Sequence, residues 1–396
     1  MRKIIGLVVA ATLAGSAAHA QVSVDPAKHT GIADILNWKD EAQAKGYRDI
    51  EHIYKTTVIH RGKAVHPLPM AAKQLDPVFS YDGKTWTVDK YMKAYRLSGV
   101  LVLKDGKIML EKYALGRKPT DRWTSFSVAK SVTSTLVGAA IADGKIRSIN
   151  DPVTQYIPDL KGSAYEGVTV RQMLMMSSGV QWNEDYVDPN SDVAKAGDKV
   201  TEKGVNPMVS YLRKLPRDKA PGTTWHYNTG ETDLVGVLVS KATGKGLAEY
   251  ASEKIWQPYG MERDAVWMTD PGGQERGGCC ISMTLRDYGR VGQFVLDGGK
   301  AGGKQIVPPD YLADATRKEI DNGFGGYGYF WWIMPSGDYQ AIGIFGQSIT
   351  TFRKDRLIIV TNTAWPKPGS KELSDARTAF IEAVHAAATA NQGQRK

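Results

Sequence analysis

The chain has 396 residues, with 51 Lys and Arg against 42 Asp and Glu, a formal net charge of +9. These charges are scattered, so the electrostatic footprint of a nucleic-acid-binding protein is missing and no nucleic-acid partner is inferred. Two adjacent cysteines exclude a disulfide framework, and seven dispersed histidines without H-E-x-x-H or Cys/His spacing give no reason to infer a metal or another cofactor.

In chain order, Arg2 and Lys3, the apolar run Ile4 to Ala14 and the small-residue site Ala18-His19-Ala20 read as a secretory signal peptide over residues 1–20. The expectation is a mature chain starting near Gln21, in a periplasm or outside the cell, with no later stretch long enough to span a membrane. Residues 21–86 are polar and proline-dotted and are expected to wrap the surface. Thr87 to Arg96 predicts a short helix. Ser98 to Lys104 and Lys107 to Tyr113 predict two strands joined at Asp105-Gly106, a strong hairpin signal.

From Ser127 to Asp143 the chain is apolar on nearly every side, without proline, and stops at Gly144, which predicts a helix buried all round. Ser127 stands at its head and Lys130 is its one basic residue. Three positions apart on a helix, the amine can reach the hydroxyl. Burial of the amine with no carboxylate partner would favour its neutral form and make it a base. Free N–H groups at the helix start would favour an oxyanion beside the serine. Ser127 and Lys130 are therefore candidates for nucleophile and base.

Residues 150–206 read as loop-rich, with a short helix at Thr169 to Met176 closed by Ser177-Ser178-Gly179. Tyr227, in Trp225-His226-Tyr227-Asn228-Thr229-Gly230, can shuttle a proton if its hydroxyl meets both attacking and leaving groups. Helices are predicted at Glu231 to Ala242, Leu247 to Ile255 and Thr284 to Leu296. Cys279 and Cys280 have Cα atoms about 3.8 Å apart, below the usual minimum of about 4.4 Å for a relaxed bridge. Two buried free thiols are the expectation, with a strained vicinal bridge as the alternative. Four β-rich runs follow, Tyr327 to Met334, Tyr339 to Ile344, Gln347 to Arg353 and Arg356 to Asn362, and then a last helix, Ser374 to Ala388.

Hairpin-joined strands at both ends bracket a helical middle. The expected class is α+β: an antiparallel sheet flanked by helices, residues 21–145 and 290–396, with an inserted mostly helical lobe, residues 146–289. A nucleophile heading the first buried helix would then lie in the cleft between lobes.

Ser127-Val128-Ala129-Lys130, Tyr227 ahead of Leu234-Val235-Gly236, and Met173 to Gly179 together resemble the serine β-lactamase-like (class C) hydrolase family, of β-lactamase/transpeptidase-like fold. Within it, Glu184-Asp185-Tyr186-Val187-Asp188-Pro189, Thr232-Asp233-Leu234, Trp331-Trp332 and Gly343-Ile344-Phe345-Gly346-Gln347 are most similar to the nylon-oligomer amidases, the 6-aminohexanoate-dimer hydrolases. The resemblance implies an acyl-enzyme on Ser127, with Lys130 as base and Tyr227 as proton relay. It also implies an oxyanion hole from the backbone N–H groups of Ser127 and Ile344, and substrate contacts from Tyr186, Trp331 and Phe345. Two departures bear on the substrate. Ala341-Ile342-Gly343 carries no cation where a β-lactamase holds the substrate carboxylate, which points to a small neutral amide or ester. Thr229 replaces an asparagine and removes a side-chain amide. A β-lactamase, D-alanyl carboxypeptidase or esterase of the same family, and a ligand-binding protein with a retained pocket, stay open as alternatives.

Overall fold

A computed structural model describes residues 32–198 and 202–390; the signal peptide expected at residues 1–20 lies outside them. The centre of the fold is a seven-stranded antiparallel sheet. Its strands run Gly326–Tyr327, Trp332–Ile333, Tyr339–Ile342, Ser348–Phe352, Leu357–Thr363, Leu97–Lys104 and Lys107–Tyr113 from edge to edge. The chain ends thus supply opposite halves of one sheet, joined where Leu101 pairs with Val360.

Leu97–Lys104 is apolar on both faces because both faces are covered. Leu101 and Leu103 pack with Leu285, Tyr288 and Phe294 of the helix Leu285–Leu296. Val100 and Val102 turn the other way, onto Phe380 and Val384 of the helix Lys371–Thr389 and onto Tyr91 of the helix Val88–Ala94. Alternate side chains of a strand point to opposite faces, so this three-layer packing requires an unbroken apolar run.

The helix Val128–Ala142 forms as its composition requires, and Val128 through Ala140 are all buried. Its polar side chains find partners: Ser131 Oγ donates to Phe330 O (2.7 Å) and Thr133 Oγ1 to Gly277 O (2.7 Å). These bonds satisfy buried hydroxyls and tie the helix to both halves of the molecule. It packs against the helix Thr229–Thr243, opened by Asn228, whose side chain accepts the Glu231 N–H.

Three expectations change. Residues 32–53 form the helices Ile32–Asn37, Asp40–Arg48 and Ile50–Ile53, and they reach the core: Tyr47 and Ile50 are fully buried. The lobe boundary at 289/290 falls within the helix Leu285–Leu296. The middle of the chain also contributes strands Ala265–Met268 and Ile281–Met283 to a four-stranded sheet with Thr56–Ile59 and Trp123–Thr124. Finally, Cys279 and Cys280 are joined in a vicinal disulfide, not free. Among the described residues no helix is long and apolar enough to cross a membrane.

Candidate active site

Ser127 is placed by a sharp turn from the strand Trp123–Thr124 into its helix. Phe126 has φ +43°, a conformation costly for an aromatic residue. It is held there by ring contacts with Tyr47 (centroids 5.0 Å apart, edge-on) and Phe345 (5.0 Å). The neighbouring Ser125 is pinned to Ile281, accepting its N–H at Oγ (3.0 Å) and donating its own N–H to Ile281 O (2.8 Å). Ser127 stays half-buried, while Trp123 to Phe126 before it and Val128 to Ala140 after it are buried.

The Lys130 side chain is 1 % exposed. Its amine donates to Thr229 Oγ1 (2.9 Å) and to Gly278 O (2.9 Å), and lies over the Tyr227 ring, 5.3 Å from the centroid. Burial lowers its pKa to about 8, partly opposed by the charges of Glu184 and Asp233. The amine therefore has no carboxylate bonded to it directly, but two stand behind its neighbours. Tyr227 is the residue both others bear on: its ring faces the Lys130 amine, and Ser127 lowers the pKa of its phenol.

Magnitudes separate the two candidate bases. Tyr227 is pushed up first by burial and then by the Glu184 charge, against a smaller lowering from Ser127, so it stays a neutral phenol. Lys130 near 8 has a substantial neutral fraction at physiological pH. The lysine can accept a proton and the tyrosine can pass one.

Gly343 and Ile344 close the other side. A Cβ on Gly343 would lie 2.6 Å from Ser125 O, so this backbone touches the turn that carries Ser127. Neither the Ser127 nor the Ile344 N–H donates to any described residue, which leaves two donors free for a developing oxyanion.

Two residues assigned to substrate binding are corrected. Phe345 has no exposed surface and packs beneath the nucleophile turn against Tyr47 and Phe126. Trp331 is 1 % exposed and packs edge-on to Tyr339 (5.1 Å). Trp331 precedes the strand that Trp332 opens, and it is Trp332 that stacks on Tyr227 (5.6 Å) and meets Trp225 and Tyr327. Tyr186 sits at the site, its hydroxyl donating to Glu184 Oε1 (2.5 Å).

Sequence reasoning missed the ring of groups around the amine. Glu184 accepts from Trp182 Nε1, Thr229 Oγ1 and Tyr186 Oη, and from Thr229 N at 3.0 Å. Asp233 accepts the Gly278 N–H (2.8 Å), and burial raises its pKa to about 6. The one available signal was the acidic residue two before Tyr186. No group of three or more His, Cys, Asp or Glu among the described residues is arranged to hold a metal.

A hydroxyl on a strained turn, a buried amine and a neutral phenol whose ring faces that amine are the groups of a serine hydrolase. The family model described as Beta-lactamase matches residues 87–383, and the chain belongs to that family. It is 35 % identical to the 6-aminohexanoate-dimer hydrolase of Paenarthrobacter ureafaciens over 290 residues, 68 % of this chain and 73 % of that one. It is 23 % identical to a Teichoic acid D-alanine hydrolase of Staphylococcus aureus over 331 residues, 74 % and 76 % of the two chains. A solved Bacillus anthracis structure, provisionally a 6-aminohexanoate-dimer hydrolase, superposes with TM-score 0.79 at 22 % identity, covering 91 % of this chain and 98 % of that one. A class C beta lactamase from Rhodobacter sphaeroides gives 0.56 at 17 %, covering 75 % and 98 %.

Proposed function

We propose that this chain is an exported serine hydrolase that cleaves the amide or ester bond of small linear molecules through an acyl-enzyme on Ser127. The observation that carries the reading is the Lys130 amine, 1 % exposed with its pKa lowered to about 8, set 5.3 Å from the Tyr227 ring on the helix that Ser127 heads. Lys130 takes the Ser127 proton as Oγ attacks the carbonyl carbon. The oxyanion is held by the N–H groups of Ser127 and Ile344, a contribution of about 3–4 kcal/mol in such sites. Tyr227 delivers the proton to the leaving nitrogen or oxygen as the bond breaks. Water then attacks the ester, giving its proton back through the same pair.

Ala341, Ile342 and Gly343 place no cation beside the site, which supports a substrate with a neutral scissile region. Tyr186 would lie over the substrate, and Trp332 takes the wall position expected of Trp331. The 35 % likeness to a 6-aminohexanoate-dimer hydrolase agrees with a linear amide. Export rests on residues 1–20 of the sequence.

The test is covalent labelling with a fluorophosphonate followed by peptide mapping. A single adduct on Ser127, absent in Ser127→Ala, is expected. Folded protein that takes no label, or Ser127→Ala with activity intact, would end the proposal. Turnover of a short ω-amino-acid amide, a p-nitrophenyl ester and a cephalosporin, measured side by side, ranks the substrate classes.

A further inference from the structure

A neutral amine has two N–H groups and one lone pair. In Lys130 both N–H directions are taken, by Thr229 Oγ1 and Gly278 O, each at 2.9 Å. The remaining side of the nitrogen is the one left for a proton, and the Tyr227 ring centroid lies 5.3 Å away. An acceptor that orients a base must itself be oriented, and a threonine hydroxyl rotates freely unless its proton is committed. Here it is committed: Thr229 Oγ1 donates to Glu184 Oε1 while the Thr229 N–H donates to Oε2. The carboxylate thus grips one residue at both its backbone and its side chain. Glu184 is held in turn by Trp182 and Tyr186.

The geometry assigns to Glu184, acting through Thr229, the role of positioning residue for the Lys130 base. The assignment rests on Lys130 being the base, as proposed above. Replacement of asparagine by threonine at position 229 gains a consequence: an amide NH2 and C=O give way to a hydroxyl that accepts from the lysine and donates to a carboxylate. Glu184 is also a negative charge one hydroxyl away from the amine, and it favours the ammonium form. The other groups facing that amine are Asp233, through the Gly278 peptide, and the neutral Tyr227.

The sign of the effect follows. Removing the Glu184 charge makes the ammonium less stable, so Lys130 loses its proton at lower pH and the acid limb of the rate profile moves down. Losing the fixed hydroxyl lowers the plateau, because the lone pair is no longer held on line. Glu184 also anchors the Tyr186 hydroxyl, so KM can move in Glu184→Gln, whereas Thr229→Val leaves that bond in place and should act on kcat with KM little changed.

The experiment compares Glu184→Gln, Thr229→Val and Thr229→Ser with the parent enzyme by kcat, KM and pH profile on one amide or ester. Glu184→Gln is expected to shift the acid limb down by at least about half a unit and to lower kcat about tenfold. Thr229→Val should lower kcat by a similar factor, and Thr229→Ser should restore most of it. If Glu184→Gln does not fold, Thr229→Val carries the same test, since it leaves the Trp182 and Tyr186 bonds to Glu184 in place. An unmoved acid limb in Glu184→Gln with kcat within about twofold of the parent, or Thr229→Ser as impaired as Thr229→Val, would overturn the assignment. Ser127→Ala in the same series separates this failure from failure of the underlying reading: loss there with normal Glu184→Gln removes only the positioning role.

Discussion

Gly278 and Lys130 stand so close that a Cβ at position 278 would come within 2.9 Å of the lysine nitrogen and 2.8 Å of Thr229 Cγ2. The backbone here is a wall of the base's compartment, and it accepts one of the amine's two hydrogen bonds. Gly278→Ala is therefore expected to push the amine off its acceptors. The expected result is a fall in kcat of about tenfold or more with KM little changed, together with a loss of stability of about 1–3 kcal/mol from the overpacked wall. A variant with parental kcat would show that the amine does not need this position.

The pH dependence of the reaction should report the lysine. Lys130 is active as the free amine, and its pKa is lowered to about 8 by burial. The rate at low substrate is expected to climb about tenfold per unit below that value and to level off above it. Tyr227, kept protonated by burial, adds no fall on the alkaline side near neutrality. A profile flat between about pH 6 and 9 would contradict a lysine base.

Phe345 and Trp332 should separate structure from binding. Phe345 fills the space under the nucleophile turn, so Phe345→Ala is expected to cost about 3–5 kcal/mol of stability in denaturant unfolding. Trp332 is half-buried and stacked on Tyr227, so Trp332→Ala should act mainly on KM, with a smaller change in stability. The opposite pattern would return Phe345 to the substrate cleft.

Glu231 gives a second titration, in stability. It is buried against Ser178 and Asn228, and burial raises its pKa to about 8. Between the ordinary carboxyl value and about 8 the folded state holds a proton the unfolded state has lost, so stability falls as pH rises through this window. Glu231→Gln cannot ionise and should escape that fall. The difference in unfolding free energy, variant minus parent, is expected to grow by a few kcal/mol, on the order of 1.4 per unit, between about pH 5 and 8. A constant difference would mean that Glu231 does not titrate in the fold.

Much of this was legible from local pattern. The helix at Val128–Ala142 follows from an unbroken apolar segment, and the strands flanking Asp105-Gly106 from alternation and a turn signal. Ser127, Lys130 and Tyr227 were proposed from residue type and spacing together with the family resemblance, and the structure sets the Lys130 amine against the Tyr227 ring. The helices at 32–53 were not, since Asp40–Arg48 has few apolar residues and is placed by packing of Tyr47, which only the assembled core supplies. Trp331 against Trp332 is a question of register: one step along the strand exchanges cleft for core, and both residues are tryptophan. Glu184 lies 45 positions from Thr229, so nothing local points from one to the other. The Cys279–Cys280 bond was judged from ordinary disulfide geometry, which sequence neighbours do not follow.

Tyr47, Phe126 and Phe345 meet in one aromatic cluster although almost three hundred positions separate the first from the last. Contacts of such long reach cost loop-closure entropy before they reward the chain. A nascent or partly unravelled molecule can therefore own its serine, lysine and tyrosine and still lack the strained bend that presents them. On the function proposed above, competence to react would depend on that cluster having closed.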